Sequence, residues 1–264
     1  MVLKLATWNI NSVRLRAPLL RRLVEESAPD IICLQETKTP DEFFPHDSIK
    51  SLGYVHVAIS GQKSYNGVAL LSKLPLESVH TTDMLGNGST RHIAATLPGG
   101  IHLHNFYVPA GGDIPDPVLN PKFEEKLRFV KQMQAWSQGV KKDGKTIIVG
   151  DFNIAPYEHD VWSHKQLLGV VSHTPVEVEA LTRLRETISW VDTAREFVPP
   201  EQKLYSWWSY RNRDWKKSDR GRRLDHIWVT PGLKRAVIAS STLRSARDWD
   251  SPSDHVPVIT SLDI

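Results

Sequence analysis

The chain has 264 residues, 40% hydrophobic and 24% charged, with a formal net charge of +3. This composition supports a sizeable core and excludes a disordered chain, and a single cysteine excludes an internal disulfide. No apolar run approaches membrane-spanning length, and the N-terminus lacks a long apolar segment with a small-residue cleavage site, so a soluble, cytoplasmic protein is expected.

In chain order, Val2 to Trp8 alternates and meets the polar run Asn9-Ile10-Asn11-Ser12, which reads as a strand running into a loop. A helix is expected from about Pro18, a favoured first-turn residue, with Leu15, Leu19, Leu23 and Val24 as its apolar stripe. A second strand, Asp30 to Gln35, is apolar on both faces and delivers Glu36-Thr37-Lys38; its Cys33 reads as a small buried hydrophobe. Further strands are expected at Gly67 to Ser72, Arg91 to Leu97 and Ile101 to Phe106, the last ending in Tyr107-Val108-Pro109. Asn120 and Pro121 predict the cap and first position of a helix that turns Phe123, Leu127 and Val130 inward.

The strand Thr146 to Val149 then runs into Gly150-Asp151-Phe152-Asn153 and a closing Pro156, and a helix is expected around Val176 to Thr187. The last strands are Leu204 to Trp208, Leu224 to Val229, Ala236 to Ala239 and Val256 to Leu262. Strands outnumber helices and alternate with them irregularly, which predicts an α/β fold with two β-sheets packed face to face and helices outside. With no linker or repeat, the whole span 1–264 reads as one domain. Loops 108–120, 157–175 and 209–223 are long and rich in Pro, Gly and charge, as functional loops are.

Polar groups collect at strand ends. Asn9, Glu36, Tyr107, Asp151 and Asn153 each follow a strand, Asp225 opens one, and Asp254-His255 precedes another. A lone Asp-x-Asn is more often an Asx turn, and Glu36 paired with Lys38 on the surface is as good a reading of those two residues. The conjunction is more specific. Carboxylates with amides, one histidine and no cysteine make a hard donor set that suits Mg²⁺ or Mn²⁺ rather than zinc. Glu36 is the leading metal ligand, and His255 is an acid–base histidine with Asp225 as its candidate partner. Asn9, Asn153 and Tyr107 can donate to phosphate oxygens without adding negative charge, so the set fits metal-assisted phosphodiester hydrolysis. The pair His102 and His104 has metal-like spacing but lacks matching ligands, and reads as structural.

Thr7-Trp8-Asn9-Ile10-Asn11, Leu34-Gln35-Glu36-Thr37-Lys38, Gly67 to Lys73, Gly150 to Pro156, Arg223-Leu224-Asp225 and Ser253-Asp254-His255 occur in that order. Together they resemble the exonuclease III family of abasic-site endonucleases, within the endonuclease/exonuclease/phosphatase superfamily. The resemblance implies a four-layer α/β sandwich with two packed mixed sheets flanked by helices. It implies a metal site around Glu36, Asn9, Asp151, Asn153, Asp254 and His255, with Asn153 and Tyr107 on the scissile phosphate and His255 oriented by Asp225. Whether Asp151 or His255 takes the proton, and whether one or two metals act, stays open.

The superfamily also hydrolyses lipid, inositol and RNA phosphodiesters. Double-stranded DNA with abasic sites or blocked 3′ ends is favoured by Tyr107 and by a basic, aromatic segment. Residues 211 to 223 hold seven Lys/Arg against two Asp, just after Trp207, Trp208 and Tyr210. In the family's pattern Trp207 and Leu224 wall the sugar pocket. Arg211, Arg213, Lys216, Lys217, Arg220 and Arg222 are candidates for phosphate contact, and Lys38, Tyr65 and Arg91 for DNA contact or support. One of Trp207 and Trp208 is expected in the core. Three positions depart from relatives: Arg222 stands where a large apolar residue is found in some, Ala110 where an amide is common, and Asn11 where some eukaryotic members have an acid. The expected protein is a monomeric Mg²⁺-dependent DNA repair nuclease. It would cut 5′ to abasic sites and trim 3′ ends as exonuclease or phosphatase.

Overall fold

Two six-stranded sheets face each other in a computed structural model that describes residues 2–212 and 214–264. Met1 and Arg213 lie outside the described residues. The first half contains β1 (Val2–Asn9), α1 (Val13–Ser27), β2 (Ile31–Gln35), α2 (His46–Lys50), β3 (His56–Ser60), β4 (Val68–Ser72), β5 (Glu77–His80), β6 (His92–Leu97), β7 (Ile101–Tyr107) and α3 (Pro121–Ser137). The second half contains β8 (Thr146–Asp151), α4 (His164–Leu167), α5 (Pro175–Ile188), β9 (Val191–Asp192), β10 (Trp207–Trp208) and α6 (Trp215–Ser218). It continues with β11 (Gly221–Arg222), β12 (Asp225–Val229), β13 (Val237–Thr242) and β14 (Val258–Asp263).

One sheet has the order β13-β14-β1-β2-β4-β3, the other β5-β6-β7-β8-β12-β9, and β10-β11 form a small separate ladder. Both six-stranded sheets are mixed, since β1–β2 and β7–β8 pair in parallel and their other ladders are antiparallel. Successive side chains on a strand point to opposite faces, and the burial follows that period. Leu3, Leu5, Ile31 and Cys33 join Leu103, Ile147, Val149 and Ile227 in the core between the sheets. Trp8, Ile32 and Leu34 point the other way, onto Val13, Leu20 and Leu23 of α1. On the outer face of the second sheet, α3 and α5 cover Phe106, Ile148 and Trp228 with Phe129, Val130, Met133, Leu181 and Leu184. Helix, sheet, sheet, helix gives the four-layer α/β sandwich.

The inter-sheet core closes on a polar plug beneath the functional loops. Gln35 Nε2 donates to Asn105 Oδ1 at 2.7 Å and to Thr7 Oγ1 at 2.9 Å, while Asn105 Nδ2 donates to the Leu34 and Ala69 carbonyls. Gly150 follows from close approach: at φ +141°, a Cβ would lie 1.8 Å from the Phe106 carbonyl oxygen of neighbouring β7.

Some local expectations fail for identifiable reasons. Helix α1 begins at Val13, not near Pro18, because the β1 turn already commits Ser12 N–H to the Glu36 carbonyl and Val13 N–H to that of Thr37. Its buried residues are Val13, Arg16, Leu20 and Leu23, and Leu15 is exposed. Strand Leu204 to Trp208 shrinks to Trp207–Trp208, and β3, β5, β9 and β11 have no counterpart among the expected strands. Strand β5 is exposed throughout and carries little apolar signal. Asn120 caps α3 as expected, accepting from Lys122 N–H. Of the pair His102 and His104, His104 stacks with buried His92, whose Nδ1 accepts from Thr82 N–H, and His102 Nδ1 meets Thr96 Oγ1 at 3.3 Å across the β6–β7 ladder. Among the described residues no helix is long and apolar enough to cross a membrane.

Candidate active site

Sheet register sets the first row of functional side chains. Asp151, the last residue of β8, lies beside Tyr107 on β7 and opposite Asp225, the first residue of β12. The other sheet brings Asn9 from β1 and Glu36 from the turn after β2. The two sheets meet across this row, where Asn9 Nδ2 donates to Asp151 Oδ2 at 2.9 Å.

Asp151 is held from several directions. Asn153 Nδ2 donates to Oδ2 at 3.0 Å and Asn153 N–H to Oδ1 at 2.9 Å, an Asx turn closed by Asn153 at φ +53°. The second N–H of the Asn153 amide goes to the Val108 carbonyl. Both amide donors are therefore committed, and Asn153 orients Asp151. Glu36 and Lys38 also have left-handed backbone, at φ +51° and +52°. Such conformations cost free energy and gather at functional sites. Glu36 accepts from the Tyr107 hydroxyl and pairs with Lys38 Nζ at 2.7 Å.

His255 sits on the far side of Asp151. Its Nδ1 meets Asp225 Oδ2 at 2.8 Å, and its Nε2 lies 3.7 Å from Asp151 Oδ2. Ser206 Oγ donates to the same Asp225 oxygen at 2.6 Å. Trp8 Nε1 holds the His255 carbonyl, and Ser253 Oγ bridges Asn9 O and His255 N–H, so the imidazole is fixed to both sheets. Asp254 faces the cleft and accepts from Trp207 Nε1 at 2.9 Å and Asn11 Nδ2 at 3.1 Å.

Burial opposes a charge on His255, but Asp225 and Asp151 override it and raise its pKa to about 10. Burial raises the Asp151 carboxyl to about 7, with Asp225 and Glu36 adding to the rise and His255 opposing it. For Glu36, Lys38 and Tyr107 outweigh burial and leave its pKa below the usual range. In the metal-free protein His255 is therefore expected to be an imidazolium at neutral pH. Asp225→Asn should lower its pKa by more than about one unit. A wild-type imidazole titrating near 6.5 by NMR would contradict this.

The donor set fits a hard divalent cation. Asp151, Asp225 and His255 offer ligand atoms within 4.8 Å of one another, and Asp225 Oδ1 is buried without a partner. Glu36, Asp151 and Asp254 line the same cleft as Asn153. Around Asp151 four carboxylates, Glu36, Asp151, Asp225 and Asp254, face Lys38 and His255, an excess of oxygen donors that suits an Mg²⁺-like ion. His255 is held at Nδ1 by Asp225 and presents Nε2 toward Asp151.

The cleft, about 680 Å³ in volume, runs from this centre to a wall made by Trp162, Trp207, Arg211, Arg220, Arg222 and Leu224. Trp208 is in the core and Trp207 half-buried, dividing the pair as expected. The other candidate DNA contacts scatter. Lys216 pairs with Asp248 at 2.8 Å, and neither it nor exposed Lys217 lines the cleft; Tyr65 is 70% exposed and also outside it. Arg91 stacks on Tyr107 and Lys38 is tied to Glu36 and Asn11, so both support the centre. Sequence reasoning missed buried Lys126, which donates to the Asn153 carbonyl and pairs with buried Glu177. A signal existed, since Lys126 falls on the same helical face as Phe123 and Val130.

A rigid acid–histidine–amide centre in a cleft at one end of a two-sheet sandwich defines a hydrolase of the metal-assisted phosphodiester class. Residues 6–255 match the Endonuclease/Exonuclease/phosphatase family, and the chain belongs to it. The chain is 32% identical to an exodeoxyribonuclease III of Haemophilus influenzae, over 97% of this chain and 98% of that protein. It is also similar to the solved structure of an AP endonuclease from Archaeoglobus fulgidus, with TM-score 0.91 and 31% identity, covering 99% of this chain and 100% of that one. A 3′ phosphatase from Neisseria, solved with a product DNA hairpin, matches with the same score, identity and coverage.

Proposed function

We propose that this protein is a DNA repair nuclease, a monomeric, cytoplasmic single-domain enzyme that uses Mg²⁺, or Mn²⁺ in its place. On duplex DNA it hydrolyses the phosphodiester 5′ to an abasic site, and it trims blocked 3′ ends as 3′→5′ exonuclease and 3′ phosphatase. The observation that carries the reading is Asp151 poised between two amides and the Asp225-bound His255, at the floor of a cleft walled by aromatic and basic side chains. The family match and the DNA-processing relatives support DNA over a lipid, inositol or RNA phosphodiester.

Glu36, Asp151 and Asp254, which line one cleft with Asn153, would hold the cation. When bound, it supplies charge neutralisation at the scissile phosphate. Asp151, held by the Asn9 and Asn153 amides beside His255, takes a proton from the attacking water. The water oxygen bonds to phosphorus as the P–O3′ bond breaks, the departing 3′ oxygen takes a proton from solvent, and Asp151 returns the proton it took to solvent. His255 stays charged and stabilises the negative charge that develops on the phosphate oxygens. Tyr107 holds Glu36, and Asn9 and Asn153 hold Asp151 in its reactive orientation.

Two duplexes test the proposal, one with a stable internal abasic analogue and one undamaged with a recessed 3′ end, each with Mg²⁺ or EDTA. Mg²⁺-dependent nicking of the first or laddering of the second is the expected result, and inactivity on both overturns it. Arg211 and Arg220 both line the cleft, and Arg220 lies over Trp162 at 4.7 Å. Replacing either by Ala should weaken DNA binding regardless of sequence and reduce the salt slope of log K by about one each. Fluorescence anisotropy across a salt series checks it.

A further inference from the structure

The consecutive arginines at the β11–β12 junction are treated in opposite ways. Arg223 is buried between Asp160 and Asp192, with Nε, Nη1 and Nη2 all bonded to carboxylate oxygens. Arg222 lines the cleft, and among the described residues it has no carboxylate within ion-pair distance. Among the described residues only its Nη1 is bonded, to the Val171 carbonyl at 2.9 Å and Ser172 Oγ at 2.7 Å, and its buried Nε has no partner. The guanidinium carbon is 5.2 Å from the Trp207 ring, which fixes the plane without neutralising the charge. Glu177, whose charge acts on it, is already paired with Lys126. A largely desolvated cation left uncompensated beside a reactive centre is a preformed anion subsite.

Its place defines the anion. In the reading proposed above, on which this inference rests, the scissile phosphate lies over Asp151 and His255. Whatever else that phosphate carries extends toward Trp207, Leu224 and Arg222. We propose that Arg222 is a specificity-determining residue that selects 3′ blocking groups bearing their own negative charge, such as a carboxylate one or two atoms beyond the phosphate, over uncharged groups of the same size. Its Nη2, which has no hydrogen-bond partner among the described residues, is the nitrogen left to donate to a carboxylate, and the guanidinium charge favours an anion over a neutral group.

The probes are two duplexes that differ only at the 3′ end: a phosphate ester of glycolate, and the ester of ethylene glycol, which replaces the carboxylate by a neutral hydroxymethyl. Both yield a 3′-hydroxyl by the same P–O3′ cleavage, so the ratio of their kcat/KM values cancels losses of folding or general DNA affinity. The wild type should prefer the charged end by about tenfold or more, and Arg222→Gln and Arg222→Leu should each cut the preference to about threefold or less. The glutamine variant keeps a donor for Val171 and Ser172, so the loop stays anchored. A smaller wild-type preference, or one that survives in either variant, overturns the inference. If the wild type also fails on the abasic analogue, the recessed end and both probes, it is the nuclease reading that fails.

Discussion

Replacing Asp151 by asparagine should lower kcat by about a thousandfold or more while leaving DNA affinity within about threefold. The substitution is close to isosteric, so the hydrogen-bond cage of Asn9 and Asn153 loses little volume, but the group can no longer accept a proton. His255→Ala should cost a comparable factor by a different route. It removes the cation held by Asp225 and leaves that carboxylate, with an oxygen already unpartnered, buried beside Asp151. Because the two groups act on one transition state, the double variant should lose far less than the product of the single losses. Single-turnover cleavage with saturating enzyme, alongside an equilibrium binding assay in EDTA, separates these terms. Loss of affinity in proportion to rate would mean that both residues hold DNA rather than cut it.

A second large effect is expected away from the reacting atoms. Lys126 and Glu177 form a fully buried pair between α3 and α5. The ammonium also donates to the Asn153 carbonyl at 2.8 Å, and Glu177 accepts from Ser172 N–H and from Thr174 N–H and Oγ. Glu177→Ala strands the ammonium without a counter-charge and should destabilise the fold by about 3–5 kcal/mol. Lys126→Met together with Glu177→Gln should recover much of that, since no charge remains buried and the glutamine still accepts from the 172–174 loop. Urea unfolding midpoints at constant slope give the comparison. The pair also links catalysis to the pocket wall, because Ser172 Oγ carries Arg222. A double variant that regains stability without regaining turnover would show that the pair positions Asn153.

What was legible in the sequence follows from how each feature is encoded. Strands bounded by Gly, Pro or a polar turn, such as those ending at Asp151 and Gln35, were placed to within about two residues. The residues after them, Glu36 and Asn153, were read as a site because they stood at strand ends. The two-sheet, four-layer fold followed from strand number and irregular alternation together with the family motifs. Exposed β5 carries no periodic apolar signal, and β9, at two residues, is too short to show one. Helix α1 misled because its start is dictated by hydrogen bonds to the turn after β2, a contact distant in sequence. The basic run at 211–223 read as one patch, yet the fold disperses it: Lys216 to a surface ion pair, Arg223 to a buried network, and Arg211, Arg220 and Arg222 to the cleft. The side-chain direction that separates Arg222 from Arg223 depends on where their carboxylate partners fold.

The most direct test of the account is a single turnover in water enriched in heavy oxygen, on a duplex with an internal abasic analogue, with Mg²⁺ and with EDTA. Water attack at phosphorus with P–O3′ cleavage predicts a Mg²⁺-dependent nick in which one heavy oxygen appears in the new 5′ phosphate and none in the 3′-hydroxyl. Heavy oxygen in the 3′-hydroxyl, or the same nick in EDTA, would contradict the chemistry assigned to Asp151 and its cleft.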